Sequence, residues 1–422
     1  MARNATVVGG VAVGSRPTID GSRLLGRIEA LARVGADPRG GITRPAFSDA
    51  DRAAVRLVSE WAREGGLTAS VDAAGNLLLR GPVRGGKPVL MIGSHLDTVV
   101  NGGRLDGAYG VLAALEALQS VVDQGLDCRH ELVVAGFANE EGSSFPQPFW
   151  GSMAIAGRAG QFGPEPVDYL GNPLRAALAR SGGDLDGVAR AAWPLGSIAA
   201  YLELHVEQGP VLEQAGLPIG IVDGIVGRTV LSVDLIGRAG HAGTTPMAGR
   251  HDALVAAAAV VLGVRELAAT RDLCQVSTTG RIEVEPNSTN VVPGVARLTA
   301  EVRDLDRTRL AVVERELRSA IHASAAAAGV RAEIRVAMRQ DPVITDDRLR
   351  AACVAAAESL GHDHAVVSSG AGHDAQVIAG IAPIGMIFVP SRGGVSHVPE
   401  EDTAPADLVA GAEVLFRAAV SL

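Results

Sequence analysis

The feature that most constrains this chain is a pair of wholly apolar runs set between helical stretches. Pro88-Val-Leu-Met-Ile-Gly and the run over residues 131–138 show almost no alternation of polar and apolar side chains. A strand with one wet face alternates, whereas a strand buried on both faces does not. Burial on both faces needs helices above and below the sheet, which is the parallel α/β arrangement. The covering helices are legible from their period. One spans 23–34, with Leu24, Leu25, Ile28 and Leu31 on one side. A second spans 49–64, with Asp49 as candidate N-cap and Gly65-Gly66 as its stop. A third spans 109–122. Short strands are expected at 70–72 and 76–80, another apolar strand at 199–205, and a helix at 173–180.

The texture changes near Leu217-Pro218. Residues 218–337 read as β-β-α-β-β-α-β, a self-contained α+β order of about 120 residues, a common domain size. The α/β pattern then resumes, with a helix at 348–360, strands at 365–368 and 383–389, and a closing helix at 406–422. A chain of 422 residues has two domains as its default. The expectation is an α/β, largely parallel-sheet metal-binding domain, 1–217 and 338–422, interrupted by an inserted domain over 218–337.

Composition narrows the partners. Aromatics are 3% of the residues and the net charge is −9, so neither a stacking surface nor a basic face for nucleic acid is expected. Three widely separated cysteines, Cys128, Cys274 and Cys353, form no C-x-x-C pair and no even set for a disulfide framework. They read as buried thiols of a cytoplasmic protein. The apolar run over 7–13, broken by Gly9-Gly10, is too short for a signal peptide, and no stretch is long enough to span a membrane. The sequons at Asn4 and Asn287 carry no weight without secretion.

The chemistry-bearing residues fall at the ends of the strand runs. His95 and Asp97 follow the first apolar run, and Asp106 lies in a Gly-rich loop just before a helix. Glu140 and Glu141 follow the next run, His205 ends a third, and His397 lies in the loop after a fourth. Ligands of open parallel sheets collect past the carboxyl ends of strands, so these groups can meet at one edge. Singly, a His-x-Asp pair is more often a satisfied polar contact, and adjacent glutamates a solvated turn. At successive strand ends they make an active site. Imidazoles with carboxylates suit two divalent ions (Zn, Mn, Co or Ni), which one carboxylate can bridge in a hydrolytic centre. Asp97 is placed to accept the second N–H of His95. One glutamate of the pair would ligate, and the other would remain as general base for water. His362-x-His364 looks like a ligand pair, but it follows a helix end at Leu360-Gly361 and reads as a surface feature. No G-x-S-x-G elbow, Walker A loop or H-E-x-x-H is present.

The segments Gly93-Ser-His-Leu-Asp-Thr, Gly103-Arg-Leu-Asp-Gly, Asn139-Glu-Glu-Gly-Ser, Leu204-His-Val-Glu-Gln-Gly-Pro, Gly240-His-Ala-Gly-Thr-Thr-Pro-Met and Ser396-His-Val-Pro-Glu-Glu resemble the M20 metallopeptidase clan. The close spacing of His95 and Asp106, and a histidine at position 205, resemble its branch of N-carbamoyl-L-amino-acid hydrolases, β-ureidopropionases and allantoate amidohydrolases. The resemblance implies that His95, Asp106, Glu141, His205 and His397 bind two metals, with Asp106 bridging, and that Glu140 is the base. It implies a lid and dimerisation role for the insert, and hence a homodimer. His241 would stabilise the oxyanion. Gln208, Asn290, Arg303 and Gly372 would hold a small substrate through its carboxylate. An aminoacylase, a dipeptidase and a catalytically silent binding protein of the same fold are the alternatives. Asn139, His251 and Met153 depart from the branch's usual residues near the pocket edge.

Overall fold

The computed structural model describes residues 17–82, 86–159 and 165–422. The apolar run over 7–13 and the Asn4 sequon lie outside them. The fold is mixed α/β, with a mostly parallel central sheet and an additional antiparallel sheet. Four neighbouring strands of the nine-stranded sheet are parallel: Glu131–Phe137, Val89–His95, Ile198–Val206 and Ile384–Val389. Val89–His95 is buried at every position, as its unbroken apolar run requires. Thr68–Val71 and Leu77–Arg80 extend one side of this block as antiparallel strands.

Helices cover the sheet as the periodicity indicates. Asp49–Glu64 forms as read, although its N-cap is Ser48, whose side chain accepts from the Asp51 N–H. Ala108–Asp123 is buried along most of its length because it lies between the sheet and the Gly21–Leu31 and Pro405–Ser421 helices.

The second sheet has five antiparallel strands. Gly227–Ile236 and Val295–Asp304 pair over ten residues at its centre. Strict alternation buries every other residue, so Leu231, Val233, Leu298 and Val302 meet Val260, Val264, Val313 and Ile321 of the helices Ala253–Ala269 and Arg307–Ala327. Both helices begin on an aspartate cap, Asp252 and Asp306. One strand differs from the boundaries read in the sequence. Ile219–Ile225 pairs with Ile384–Val389 and His364–Ser369 in the larger sheet, not with the insert. Its buried apolar side chains fit either sheet, and pairing across more than 140 residues decides between them. No helix among the described residues is long and apolar enough to cross a membrane.

Candidate active site

The parallel strands deliver their C-terminal ends to one edge, where the residues singled out by the sequence converge. His95 is the last residue of its strand and His205 is one residue short of the end of its own. The Asp106 carboxylate is the meeting point. Its Oδ1 lies 3.1 Å from His205 Nε2 and 3.7 Å from His95 Nε2, and its Oδ2 lies 3.0 Å from His397 Nε2. Glu141 Oε2 is 3.6 Å from the same His397 nitrogen, and Glu140 Oε2 is 3.7 Å from His95 Nε2. Two groups with ligand spacing therefore share Asp106: His95 with His205, and Glu141 with His397.

Backbone contacts aim the imidazoles. His95 Nδ1 donates to the Asp97 carbonyl at 2.9 Å, and His205 Nδ1 donates to the Val206 carbonyl at 2.9 Å. A carbonyl only accepts, so Nδ1 carries a proton in both rings and Nε2 faces the carboxylates, the orientation a metal ligand needs. The Gly107 N–H also donates to His205 Nε2, at 3.1 Å. The contact to His95 expected of the Asp97 side chain is made instead by the Asp97 backbone carbonyl. The Asp97 carboxylate stands 3.9 Å from His95 Nδ1 and instead accepts the backbone N–H groups of Glu140 and Glu141, at 3.2 and 3.3 Å. Its effect is to fix the turn that presents the two glutamates.

The electrostatics are those of a buried acid cluster. Burial first, then the charge of Glu141, holds the Glu140 carboxyl well above its ordinary range. Burial and Asp106 raise Glu141 to about 8. Burial raises Asp97 to about 6. Burial works against the Asp106 anion, yet its bonds to His205 and His397 keep it well below its usual value. Burial lowers His95 to about 4, whereas Asp106 overcomes burial and lifts His205 to about 9. Glu141 Oε1 is shut off from solvent with no hydrogen-bond partner among the described residues. Several buried carboxylates, an orphaned carboxylate oxygen and three imidazoles whose Nε2 atoms face them fit divalent cations.

Several contributors have no role assigned from the sequence, although Glu401 closes the Ser396–Glu401 motif. Glu401 accepts from the N–H groups of Leu105 and Asp106, at 2.9 and 3.0 Å, and so holds the Asp106 loop from nearly 300 residues away. Glu203 accepts from Ser94 Oγ, Tyr201 OH and the Ala375 N–H beneath the histidines. The His373 ring packs edge-on to His205 at 4.7 Å and bonds Ser369 Oγ at 2.9 Å. His373 directly follows Gly372, which the resemblance places at the substrate, but nothing in the sequence points to its contact with His205. Asn139, Gln208 and His397 all have positive φ, a strained backbone of the kind found at functional sites.

The expected substrate residues form two further groups. Gln208 joins the acid cluster, its Nε2 donating to Asp106 Oδ2 at 3.1 Å. Arg303, on the smaller sheet, reaches the Gly370 carbonyl at 2.6 Å, beside exposed Gly372. His241 and Asn290 lie together, since His241 pairs with Val291 and Asn290 accepts the Ala242 N–H. Both are exposed, and no hydrogen bond joins them to the acid cluster among the described residues. The N–H groups of Gly243 and Thr244 donate to His241 Nδ1, at 3.1 and 3.2 Å, which leaves its proton on an outward Nε2. His362 stands 3.9 Å from Glu413, away from the cluster.

The sequence profile of peptidase family M20/M25/M40 matches residues 91–421. The chain is 39% identical over 401 residues to an N-carbamoyl-L-amino acid amidohydrolase of Geobacillus stearothermophilus, covering 94% of this chain and 97% of that one. It is 38% identical to an allantoate amidohydrolase of Bacillus subtilis strain 168, covering 92% and 94%. A crystal structure of a hydantoinase/carbamoylase-family amidase from Burkholderia multivorans is similar at a TM-score of 0.88 and 36% identity, over 96% of this chain and 98% of that one. The chain belongs to peptidase family M20/M25/M40, on the branch of its carbamoyl-amino-acid and allantoate amidohydrolases.

Proposed function

We propose that this chain hydrolyses the C–N bond of a ureido or carbamoyl group in a small substrate bearing a carboxylate, with two divalent ions held by His95, Asp106, Glu141, His205 and His397. The observation that carries the reading is the pair of ligand groups sharing Asp106, with Glu140 beside them, 3.7 Å from His95 and outside both of these groups. When bound, the ions supply Lewis acidity to the scissile carbonyl and lower the pKa of water. Glu140 takes the proton of the attacking water and returns it to the leaving nitrogen, a cycle suited to a carboxyl whose pKa burial has raised. Asp97 holds Glu140 in place through its backbone N–H. The Nε2–H of His241 donates to the tetrahedral oxyanion, in its own subunit or across a homodimer formed through the insert. Arg303 grips the substrate carboxylate with Asn290 and the Gly372 backbone, and Gln208 orients it from the Asp106 side. For a carbamoyl amino acid the products are ammonia, carbon dioxide and the free amino acid. The three cysteines are buried free thiols, in keeping with a cytoplasmic setting.

The test is ammonia release by metal-reconstituted protein from N-carbamoyl-α-amino acids, β-ureidopropionate, allantoate and ureidoglycolate, alongside N-acetyl amino acids and dipeptides. Turnover confined to the last two classes would replace this reading with an aminoacylase or dipeptidase. No turnover and no metal uptake would leave a binding protein.

A further inference from the structure

Arg228 and Arg303 stand directly opposite each other on the two central strands of the smaller sheet. Cross-strand partners project from the same face, so two guanidinium side chains start about 5 Å apart. That face is the half-buried one, since Gly227, Thr229 and Leu231 turn the other way into the core. Like charges in this arrangement destabilise a sheet unless something neutralises them. Arg303 has such relief, with Nε donating to Glu301 at 2.6 Å. Arg228 has less. Its Nε donates to the neutral Gln340 amide oxygen at 3.2 Å, and no carboxylate pairs with it among the described residues. Burial, then the neighbouring Arg303 charge, work against its cationic form, and Glu301, already bonded to Arg303, offsets them only in part. A half-desolvated cation with no carboxylate of its own is costly to keep, and an anionic ligand would offset that cost.

The surroundings show where such a ligand would sit. Arg228 lines a cleft of about 950 Å³ with Gln147, Phe149, Arg158 and Gln376. Two other arginines of the cleft are already matched, Arg307 by Asp341 and Arg339 by Glu314. Phe149 connects the cleft to the residues of the proposed chemistry. Its N–H donates to the Glu140 carbonyl at 3.0 Å, and its ring lies so close beneath Gly372 that a Cβ there would come within 2.9 Å. The cleft and the Gly370–Gly372 loop therefore meet at Phe149, with Arg228 lining the cleft and Arg303 bonded to the loop.

We propose that Arg228 determines specificity by receiving a second anionic group, a side-chain carboxylate of the substrate, while Arg303 and the Gly370–Gly372 loop hold the first. This rests on the hydrolase reading above and narrows its substrate class to carbamoyl derivatives of acidic amino acids. Two guanidiniums rooted side by side match the two carboxylates of one small dicarboxylate, and each can bind bidentately.

The experiment compares kcat/KM for N-carbamoyl-L-glutamate, N-carbamoyl-L-aspartate and N-carbamoyl-L-leucine, with ammonia as readout, in wild type, Arg228→Gln and Arg228→Lys. Glutarate binding to the same metal-loaded proteins is measured by calorimetry. Wild type should favour an acidic substrate over the leucine derivative. In Arg228→Gln the acidic-to-leucine ratio should fall at least tenfold, chiefly through KM, with glutarate binding weakened in parallel and Arg228→Lys intermediate. An unchanged ratio with unchanged glutarate affinity would overturn the proposal, as would a wild-type preference for the leucine derivative. Absence of ammonia from every carbamoyl substrate would sink the hydrolase reading instead. Glutarate affinity would then still report whether Arg228 binds a dicarboxylate.

Discussion

Replacing Gly107 with alanine tests whether the metal-ligand cluster depends on one close backbone approach. Gly107 has φ 62° and ψ −51°, a conformation that L side chains rarely adopt. That alone costs about 1–3 kcal/mol. A Cβ at this position would also fall 2.3 Å from His95 Cε1 and 2.4 Å from both ring nitrogens. The imidazole has little freedom to move, because it is 2% exposed and tied to the Asp97 carbonyl at 2.9 Å. Gly107→Ala must therefore rotate His95 or pull the Gly107 N–H away from His205. Disturbing the contacts that aim a ligand costs about 10–100-fold in metal affinity. Gly125 supplies the control, having φ +63° and no neighbour within 4 Å of a built Cβ. Gly125→Ala shares backbone strain without the contact. Calorimetric titration of the metal-free proteins with Zn or Mn should show the affinity loss in Gly107→Ala alone, while both variants melt a few degrees lower. Wild-type metal affinity in Gly107→Ala would refute the reasoning.

Removing the metal should expose an inverted pH dependence. Burial raises Glu141 to about 8, and the hydrogen bond to Asp106 lifts His205 to about 9 against the opposing effect of burial. Both bind protons more tightly folded than unfolded, so their contribution falls as pH rises, from about 4.5 to 8 for Glu141 and from about 6.5 to 9 for His205. His95, lowered to about 4 by burial, is neutral in the folded protein throughout, so it opposes the trend only below about pH 7.5, where its unfolded form still binds a proton. The melting temperature of chelator-treated protein should fall between pH 6 and 9, and saturating Zn should flatten the slope, because bound ligands are already deprotonated. A melting temperature that rises over this range would contradict the assignment. Asp97→Asn puts an amide N–H₂ against one of the two backbone donors now held by the carboxylate, so kcat should drop about 10–100-fold. Steady-state kinetics at verified metal content checks this. Arg303→Lys loses the planar fork and should raise KM for carboxylate substrates about tenfold with kcat little changed, read from the same assay.

Local physics made much of this molecule legible. Apolar runs without alternation have no wet face, so Val89–His95 and Glu131–Phe137 are central strands, and His95 at the end of one and Glu140-Glu141 just past the other enter the site. Asp49–Glu64 forms over the expected residues because its apolar period and its Gly65-Gly66 stop agree. What escaped depends on contacts distant in the chain. Ile219–Ile225 is apolar enough for either sheet, and only its pairing with Ile384–Val389 places it. Glu401 looks like one more surface acid until it is seen beneath the Asp106 loop. Asp97 shows a different limit. Its spacing from His95 is right for a carboxylate contact, but the backbone carbonyl takes that bond and frees the side chain for the Glu140-Glu141 turn. Arg228 reads as an ordinary strand residue until the register sets it against Arg303.

The central claim is that Glu140 acts as a base beside a metal centre it does not itself assemble. The direct measurement is Glu140→Gln, isosteric and uncharged, assayed for both bound metal and ammonia release after reconstitution with Zn or Mn. The account predicts metal content equal to wild type and turnover of a carbamoyl substrate reduced by about 100-fold or more. Substantial turnover in the metal-loaded variant would contradict it.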